Sequence, residues 1–578
     1  MDGIEVSATT VYDLDMNRIE SFTILKDASA TSLYGSRGAN GVIVIQTILP
    51  EEGAIKVSVN ANFVISIPDL RDYNIMNASE KLEYERLAKV YTGKSEEEQF
   101  RLDDLYNQRL AETLRGVDTY WLSRPLNTSI NQRYNAYIEG GDGSFRYGVD
   151  LKYDTDKGVM KGSGREKYGI NVNFNYNIGQ KFFIRNDVQV SDVKGTNSPY
   201  GSFSRYGDLN PYERVYDPIT GDMIVRFESN NLLNPLIDAN LPNKDFDKYL
   251  EIRDNFTIDW RINNRFRING RMAITKKVSK TEKYLSAKSS TFEKEIDPNK
   301  RGSYTINNQE DIGIDGNITA SYNNTIKEKF MISIGVGSNV TTANITGDGF
   351  STTGFLNDNM NYIQFAQQYK EKGKPTGNYD KSRMIGFFGN INLGYENKYF
   401  IDATFRTDGS SRFGRNSRFA PFWSVGGAWN INKEKWWSGG DGTMKLRASV
   451  GSNGTTNFSA DQALTKYIYS NDSEYNGIYG AVLQGYGNPS LKWQNTLNYN
   501  IGFDMSIWKN RIVLNADAYL KQTQNLLLPI DVAPSTGFYS YTENMGSMDN
   551  KGIDVRHRFN IISNRKQDLH WNVTLAAS

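Results

Sequence analysis

The strongest constraint on the fold is an alternation of apolar and polar residues with a period of two. From Tyr168 to Ile178 every even position is apolar and every odd position is glycine or asparagine. Because successive side chains of a β-strand point to opposite faces, such a segment has one apolar and one polar face. The chain contains about 17 such segments, most of them ~10–15 residues long, whereas soluble strands usually have ~5–6 residues and membrane-crossing strands ~9–11. The sequence therefore predicts an all-β protein with strands long enough to cross a membrane.

The connections between these segments fall into two classes that alternate along the chain. Tight connections lie near 141–143, 179–180, 263–264, 396–398 and 509–510. Long connections lie near 68–129, 195–248, 281–308, 345–381, 454–490 and 527–550, with shorter members near 157–164 and 409–418. Outer-membrane barrels have short periplasmic turns and long extracellular loops, whereas a soluble sandwich has no reason to collect its long loops at one end. The alternation therefore predicts a large antiparallel transmembrane β-barrel.

The composition agrees with a barrel and excludes several other classes. Mean hydropathy is −0.58, and no run of ~18 apolar residues is present, which excludes transmembrane helices. The net charge of +1 gives no field that attracts nucleic acid. Cysteine is absent from the sequence, which excludes disulfides, thiolate zinc sites and a cysteine nucleophile. The 12% of aromatic residues fits the membrane interfaces of a barrel and equally a tyrosine-rich soluble glycan-binding protein.

The sequence shows no constellation of catalytic or metal-binding residues. The glycine-rich stretch 35–41 lacks the lysine of a phosphate-binding loop and follows a predicted helix, whereas such a loop precedes one. The stretch 13–24 lacks the glycine and the final glutamate of a calcium loop. The two histidines, His557 and His570, have no partner pattern, and no nucleophile elbow is found. We therefore expect a protein that is not an enzyme and that needs no cofactor or metal ion.

The first 50 residues differ from the strand-and-loop pattern of the rest. They predict, in order, a strand over 19–26, a short helix over 27–34, a glycine-rich turn over 35–41 and a strand over 42–47. Helical patterning returns in the first long connection, where Asn77 is a predicted N-cap. The leucines at 102, 105, 110 and 114 predict a second helix there.

Two stretches of the sequence resemble one known family. The first contains Lys26, Asp27, Ala28, Tyr34, Gly35, Ser36, Arg37, Gly38, Ala39, Asn40 and Gly41. It closely resembles the end of the plug domain in SusC/RagA-type TonB-dependent importers of the outer membrane. The second resembles a barrel motif of the same family and consists of Asp408, Gly409, Ser410, Ser411, Arg412 and Phe413. Further likeness follows in order at 421–424, 445–451, 488–493 and 544–552, so the resemblance spans essentially the whole chain.

The resemblance implies a barrel of ~22 strands with a folded plug inside its lumen. Residues 1–50 would be the C-terminal part of the plug, and residues 51–578 an incomplete barrel that lacks ~5 strands. A signal sequence, a regulatory domain, a TonB box and the first half of the plug are expected to lie outside this sequence. Without these parts the chain as written is expected not to be exported and not to be coupled to the TonB complex. Its sheet is also expected to stay open, with unpaired backbone groups along both edges.

The same resemblance implies active import of a nutrient across the outer membrane. An oligosaccharide is the first candidate ligand and a peptide the second. The implied partners are the TonB energy-transducing complex, a SusD-like surface lipoprotein and outer-membrane lipids, and nucleic acid is not among them. Two alternatives remain open, namely a soluble glycan-binding β protein and a non-functional gene fragment of such an importer.

Several arginines have two interpretations each. Arg37 in the plug turn is either an ion-pair partner of the barrel wall or a solvated arginine in the lumen. Four further arginines share odd parity across one predicted hairpin and are expected to face the lumen, because arginine at the bilayer midplane costs ~2–4 kcal/mol. These four residues are Arg261, Arg265, Arg267 and Arg271. Their side chains would either pair with carboxylates of the plug or be solvated in the lumen.

Aromatic residues outside the strands are candidates for ligand or membrane contact. Trp436 and Trp437 lie on the side of the tight turns, where a membrane-interface belt and a stacked sugar are the two interpretations. Aromatic residues of the long connections are candidate ligand contacts, namely Tyr200, Phe203, Tyr206, Tyr475, Tyr479, Tyr486 and Tyr539.

Overall fold

The computed structural model is dominated by one large curled sheet. It describes residues 1–14, 16–25, 31–38, 41–227, 232–371, 373–414, 416–438, 440–455, 462–564 and 569–578. The strands of the wall are β3 Gly53–Ser66, β4 Ser129–Gly141, β5 Phe145–Lys157, β6 Gly164–Ile178, β7 Phe182–Thr196, β8 Lys244–Arg261, β9 Phe266–Leu285, β10 Ser303–Ile326, β11 Phe330–Thr353, β12 Gln368–Tyr369, β13 Thr376–Tyr395, β14 Tyr399–Ser410, β15 Phe419–Asn430, β16 Thr443–Thr455, β19 Gln494–Ile507, β20 Ile512–Gln524, β23 Ser547–Asn564 and β24 Leu569–Ala577. No helix within the described ranges is long and apolar enough to cross a membrane.

Each long strand of the wall pairs antiparallel with the next one along the chain. In the described part of the chain the order contains seventeen long strands and the two-residue β12, in agreement with the predicted number of about 17. The first and last strands, β3 and β24, are neighbours in the circular order of strands. No residue pairing is found between their described residues, and both strands are exposed along nearly their whole length. The wall is therefore a barrel with one seam, and the expectation of open sheet edges is confirmed.

The two faces of the sheet follow the alternation in the sequence. On β6 the side chain of Tyr168 is 56% exposed, whereas Asn175 is 1% exposed. The apolar side chains face outward and the polar side chains face the lumen, as in outer-membrane barrels. A soluble sandwich would bury its apolar faces between two sheets, so this arrangement contradicts the soluble alternative.

The residues before β3 contact the inner face of the wall and are called the plug below. Its elements are the helix α1 Ala8–Tyr12, β1 Ile19–Leu25, a 3₁₀ turn Ser32–Gly38 and β2 Val42–Thr47. β1 and β2 pair antiparallel, as the two predicted strands suggest. The predicted helix over 27–34 is only partly described, and its described end belongs to the 3₁₀ turn. The predicted motif residues Lys26, Asp27, Ala28, Ala39 and Asn40 lie outside the described residues.

Two of the predicted long connections are too long. β9 and β10 leave a connection of only 286–302, and β11 and β13 leave only 354–375. The predictions of 281–308 and 345–381 are therefore wrong at both ends. Above the apolar band both faces of these strands meet water, so polar residues occupy odd and even positions alike, and the alternation that marks a strand disappears.

The outer loops are folded and contain further elements. The first loop carries the helices α2 Ala78–Leu87 and α3 Glu96–Leu114, and the predicted cap at Asn77 is confirmed. The Asn77 side chain accepts a hydrogen bond from N–H of Glu80 at 2.9 Å, and the Glu80 carboxylate accepts one from N–H of Asn77 at 3.0 Å. Short elements that the sequence did not predict are α4 Ser204–Gly207, α5 Leu236–Ala239 and the hairpins β17 Lys466–Tyr475 with β18 Ile478–Gly485 and β21 Leu527–Asp531 with β22 Ser540–Asn544.

Aromatic side chains collect near the tight turns. Phe182 and Trp260 stack with ring centroids 5.4 Å apart, and Trp429 lies 6.4 Å from Trp436. Aromatic rings with a polar edge are typical of the level where lipid meets water. The position of Trp436 in this belt agrees with its membrane-interface interpretation.

Candidate functional site

The plug turn from Tyr34 to Gly38 lies directly against the inner face of the wall. Gly35 has φ +61° and ψ −141°, a conformation that glycine adopts far more readily than other residues. A Cβ atom at Gly35 would overlap the side chains of Arg406 and Asp408 on β14. Glycine is thus required here both for the backbone conformation and for the close approach of plug to wall.

Arg406 and Asp408 form a buried ion pair behind this turn. Nε of Arg406 lies 2.5 Å from Oδ1 of Asp408, and the two side chains are 2% and 0% exposed. Oδ2 of Asp408 accepts a hydrogen bond from the backbone N–H of Ser36 at 3.3 Å. The Arg406 guanidinium also donates to Asn339 on β11. The plug motif and the barrel motif, which the sequence marks separately, therefore meet in one contact.

Arg37 forms the second link between this turn and the wall. Its Nη1 lies 2.6 Å from Oδ2 of Asp315 on β10 and 3.2 Å from Oε2 of Glu5 in the plug. Burial lowers the pKa of Arg37, but the charges of the two carboxylates outweigh burial and raise it. Of the two interpretations of Arg37, the structure contains the ion pair with the wall.

Asp13, which follows α1, is held by two bases of β6. Nη1 and Nη2 of Arg165 donate to its two carboxylate oxygens at 2.9 Å each, and Nζ of Lys167 lies 3.1 Å away. Such bidentate, charge-assisted pairs are among the strongest hydrogen bonds in proteins. Burial raises the pKa of Asp13, but the hydrogen bonds and charges of Arg165 and Lys167 outweigh burial and hold the pKa below its usual value of 3.8.

Two further contacts link the plug to other strands. Nη2 of Arg185 on β7 donates to Thr47 at 2.9 Å and to Asp2 at 3.2 Å. Nη2 of Arg18 in the plug donates to the hydroxyl of Tyr137 on β4 at 2.8 Å. The plug is therefore attached to strands around the lumen through charged and polar groups.

The four arginines of the β8–β9 hairpin have different surroundings. Arg271 lies against the plug, because a side chain at Gly3 would overlap its guanidinium. Arg267 and Arg261 pair with Asp259 of the wall, the latter at 3.8 Å. Arg265 lies in the tight turn between the strands, so the prediction that it faces the lumen from a strand is wrong. Only Arg271 faces the plug, and its neighbours there include the plug carboxylate of Asp2.

The barrel motif continues into an aromatic cluster at the outer end of β14. Phe413 stacks on Trp493 with ring centroids 4.4 Å apart, and Phe422 meets the same indole edge-on at 5.6 Å. Leu491 is fully buried in this cluster. Three stretches that separately resemble the family, 408–413, 421–424 and 488–493, thus pack together.

The remaining residues of the barrel motif shape the turn that leaves β14. A Cβ atom at Gly409 would overlap the ring of Phe419. Backbone N–H of Ser410 donates to the carbonyl of Arg418 at 3.0 Å. The Ser410 hydroxyl accepts a hydrogen bond from N–H of Arg412 at 3.3 Å, and the Ser411 hydroxyl accepts one from N–H of Arg383 at 2.9 Å. Their role in the structure is to shape the turn and hold the Phe413 cluster in place.

The outer-loop aromatic candidates divide into packed and exposed residues. Tyr206 belongs to a hydrophobic core shared by the first outer loop and the loop between β7 and β8, and Tyr200 and Phe203 pack against that core. Tyr486 stacks on Phe538 at 5.3 Å. Tyr475 and Tyr539 are 84% and 78% exposed, and Tyr486 is 52% exposed despite its stacking on Phe538. The side chain of Tyr479 lies outside the described residues.

Sequence reasoning missed the wall residues that receive the plug turn. Arg406 begins the stretch that resembles the family's barrel motif but was assigned no role, and Asn339 and Gly386 were not singled out. A Cβ atom at Gly386 would overlap the side chains of Arg406 and Asn339. The position of Arg406 could have been predicted from the sequence, because residues two apart on a strand share a face. Arg406 and Asp408 therefore both face the lumen from β14. Within the described residues, no group of three or more His, Cys, Asp or Glu side chains is arranged to hold a metal ion.

The curled sheet, the outward apolar rows and the plug held inside the lumen define a plugged outer-membrane β-barrel. The family model described as TonB dependent receptor-like, beta-barrel, matches residues 186–578, and the chain belongs to this family. Proteins of this family are located in the outer membrane.

Curated relatives cover the whole chain at low identity. TonB-dependent receptor P26 of Formosa agariphila is 26% identical over 600 residues, which are 100% of this chain and 57% of the relative. TonB-dependent receptor SusC of Bacteroides thetaiotaomicron is 25% identical over 613 residues, which are 99% of this chain and 57% of the relative. The chain therefore spans little more than half the length of these relatives.

Solved structures share the fold. The RagAB peptide transporter has a TM-score of 0.85 at 22% identity and is matched over 100% of this chain and 66% of that chain. The unliganded ferric citrate transporter FecA has a TM-score of 0.55 at 10% identity, over 95% of this chain and 62% of that chain. At these identities the likeness shows a common plugged-barrel architecture.

Proposed function

We propose that this chain forms the C-terminal part of the plug and most of the wall of an importer that carries a nutrient across the outer membrane. The observation that carries the proposal is the polar attachment of the plug through Asp13, Arg37 and Ser36. Water can replace each of these contacts when the plug shifts, because water-mediated hydrogen bonds are nearly as favourable as direct ones. The plug can therefore be displaced without unfolding the wall.

The ligand of the proposed importer is an oligosaccharide as the first candidate and a peptide as the second. Exposed tyrosines at the outer loops, Tyr475 and Tyr539, suit the faces of sugar rings. The peptide candidate is supported by the likeness to a protein described as a peptide transporter. In both cases the ligand enters between the outer loops and binds above the plug.

The proposed partners follow from the family and from the polarity of the barrel. The TonB complex supplies energy by pulling a segment that precedes the plug part present here. A SusD-like surface lipoprotein covers the outer loops, and outer-membrane lipids surround the apolar rows. The motif residues 34–38 and 408–413 act in this proposal as the gate contact that is broken when the plug is pulled.

Deleting the gene in the bacterium that carries it tests the import function. We expect the deletion strain to lose growth on one oligosaccharide or peptide source, and the intact gene supplied in trans to restore it. Deleting the tonB gene or collapsing the proton gradient should abolish uptake of the same radiolabelled ligand. Unchanged growth on all such sources, or uptake that persists without TonB, would refute import.

The alternative of a non-functional gene fragment makes a different prediction. A functional protein should be present in outer-membrane fractions, where mass spectrometry detects peptides from the plug turn and from β24. Absence of these peptides from cells grown on the ligand, together with a stop codon on both sides of the reading frame, would favour a gene remnant.

A further inference from the structure

A recess of about 740 Å³ opens at the end of the wall where the tight turns lie, which is the periplasmic rim of an outer-membrane barrel. The turn between β6 and β7 supplies Lys181, and the turn between β8 and β9 supplies Arg265. The rest of the lining consists of Ile262, Asn263, Asn264, Phe266 and Tyr322. The strands from β6 to β10 pair continuously with one another, so the recess lies away from the seam between β3 and β24.

Backbone hydrogen bonds hold the two turns in place. N–H of Arg261 donates to the carbonyl of Lys181 at 2.7 Å and joins one turn to the other. N–H of Asn323 on β10 donates to the carbonyl of Arg265 at 2.8 Å. The side-chain oxygen of Asn263 accepts a hydrogen bond from N–H of Arg265 at 2.8 Å and shapes the turn. The two basic side chains therefore extend from a backbone frame that is already formed.

The recess contains two positive charges and no negative one. Lys181 and Arg265 are exposed, and within the described ranges neither side chain forms an ion pair or a hydrogen bond. None of the lining residues is a carboxylate. The nearby arginines differ, because Arg261 and Arg267 both pair with the buried Asp259 of the wall. The recess therefore attracts an anion that the wall itself does not supply.

The apolar part of the lining places the recess on the outward side of the wall. Ile262 and Phe266 are 41% and 48% exposed, and both belong to the outward rows. The rings of Phe266 and Tyr322 meet with their centroids 4.8 Å apart. The stacked pair of Phe182 and Trp260 continues this aromatic level on the neighbouring strands. Such a level marks the boundary between lipid and water, so an anion bound in the recess has an apolar surface beside it.

A phosphate group that carries acyl chains satisfies both parts of the recess. Phosphate is an anion that accepts several charge-assisted hydrogen bonds, and its geometry suits the planar guanidinium of arginine. Acyl chains attached to it would lie along the outward apolar rows of β9 and β10. Two uncompensated bases disfavour a headgroup with its own ammonium group, because like charges repel. The chemistry therefore selects a phospholipid whose headgroup has a net negative charge.

We propose that this recess binds an anionic phospholipid in the inner leaflet of the outer membrane. Arg265 and Lys181 contact the phosphate, and Phe266 and Tyr322 contact the first part of the acyl chains. The assignment does not depend on which nutrient is imported, because the groups that form the site lie outside the lumen.

Native mass spectrometry of the protein, purified from outer membranes in a neutral detergent, tests the site. The probes are phosphatidylglycerol, phosphatidylethanolamine and inorganic phosphate. We expect the first phosphatidylglycerol to bind more tightly than the first phosphatidylethanolamine. A base near a membrane surface contributes about fivefold to the affinity for anionic lipid, so Lys181→Gln and Arg265→Gln should each weaken binding by this factor and the double variant ~25-fold. Arg265→Lys keeps the charge and should retain most of the affinity.

Lys509→Gln is the matched control. It removes an exposed lysine from the tight turn between β19 and β20, which lies on the same rim but outside the recess. We expect this variant to bind phosphatidylglycerol as the parent does. The replaced side chains are exposed, so every variant should unfold at the temperature of the parent, and a change in lipid binding then reports on the recess alone.

The outcomes decide whether the recess is a lipid site. Equal affinity for the two lipids, or a double variant that binds phosphatidylglycerol as tightly as the parent, overturns the proposal. A loss in Lys509→Gln as large as that in Lys181→Gln would mean that the charge of the whole rim acts, and no local site would remain. Displacement of phosphatidylglycerol by inorganic phosphate would make the occupant a free phosphate and overturn the lipid assignment. Selective binding that only the recess variants weaken supports it.

Discussion

Replacing Asp408 with asparagine removes one charge from a fully buried ion pair and keeps the size of the side chain. The amide oxygen can still accept the hydrogen bond from N–H of Ser36, so the contact with the plug turn keeps its shape. Arg406, however, is 2% exposed and loses its counter-charge. Removing one partner of a buried ion pair typically costs about 3–5 kcal/mol, because the other charge stays buried.

This cost falls on the state in which the plug is docked. Gly35 covers the Arg406 guanidinium, so water reaches the charge only when the turn moves away. Since each ~1.4 kcal/mol is a factor of ten, the population of the undocked turn should rise by a factor of ~10²–10⁴. The lower value applies if water enters beside Arg406 while the turn stays in place.

A single reporter cysteine measures the undocked population. The natural sequence has no cysteine, and Thr31 beside the turn is 1% exposed, so Thr31→Cys gives one site that reacts with a maleimide only after opening. We expect labelling to be at least a hundredfold faster when Asp408→Asn is added. A cysteine at the exposed position of Tyr84 corrects for the intrinsic rate.

The double variant Arg406→Met with Asp408→Asn is the control. It leaves no unpaired charge, and neutral replacement of a whole buried pair is often close to neutral in stability. Its labelling should therefore return close to the rate of the reporter alone. Equal labelling of Asp408→Asn and the reporter, or a double variant as fast as the single one, would show that the buried charge does not hold the turn.

Three further perturbations follow from the other contacts. Arg37→Gln removes the ion pair between Arg37 and Asp315 of the wall, and a charged hydrogen bond of this kind contributes about 1.5 kcal/mol at the lower end of its range. Labelling of the reporter cysteine should therefore become ~tenfold faster. Arg71→Gln breaks an exposed ion pair in the outer loop and should leave the labelling rate unchanged. Because the pKa of Asp13 is depressed below 3.8, its contribution to stability is present above pH 3.8 and is lost as the pH falls below that value. Calorimetry should show the temperature of the plug transition falling as the pH drops below 3.8, and falling less in Asp13→Asn. Leu491→Ala should cost about 2–5 kcal/mol in the outer aromatic cluster and speed proteolysis of the outer loops while the wall stays intact.

Each of these has a contrary outcome. Faster labelling in Arg71→Gln would mean that loop charges act on the plug from a distance. A plug transition as steep in Asp13→Asn as in the parent would assign the acid sensitivity to other carboxylates. Unchanged proteolysis in Leu491→Ala would mean that the cluster does not anchor the loops.

Most of the wall was predictable from local patterns. The alternation over 168–178 predicts both the strand and its two faces from eleven residues, and β6 contains this segment with those faces. Tight turns were found because glycine and asparagine mark them, and positive φ angles occur at Gly179, Gln180 and Asn510. The strand ends above the membrane were not predictable, because polar residues on both faces of 305–311 remove the periodic signal.

The candidate site was predictable only in its parts. The likeness of 34–38 and 408–413 to family motifs singled out both sides of the contact between Ser36 and Asp408, yet nothing in either stretch indicates that they touch. The two interpretations of Arg37 could not be separated, because the choice depends on which residue of β10 faces the turn.

The sequence by itself determined that the chain forms long amphipathic strands, which face is apolar and on which side the long loops lie, because these properties depend on neighbours within a few residues. Only the tertiary structure decided that Ser36 meets Asp408 across 372 positions of the chain. That contact depends on the stagger of the strands and on the seating of the plug in the lumen, and both are set by the sum of many distant pairings that no local pattern records.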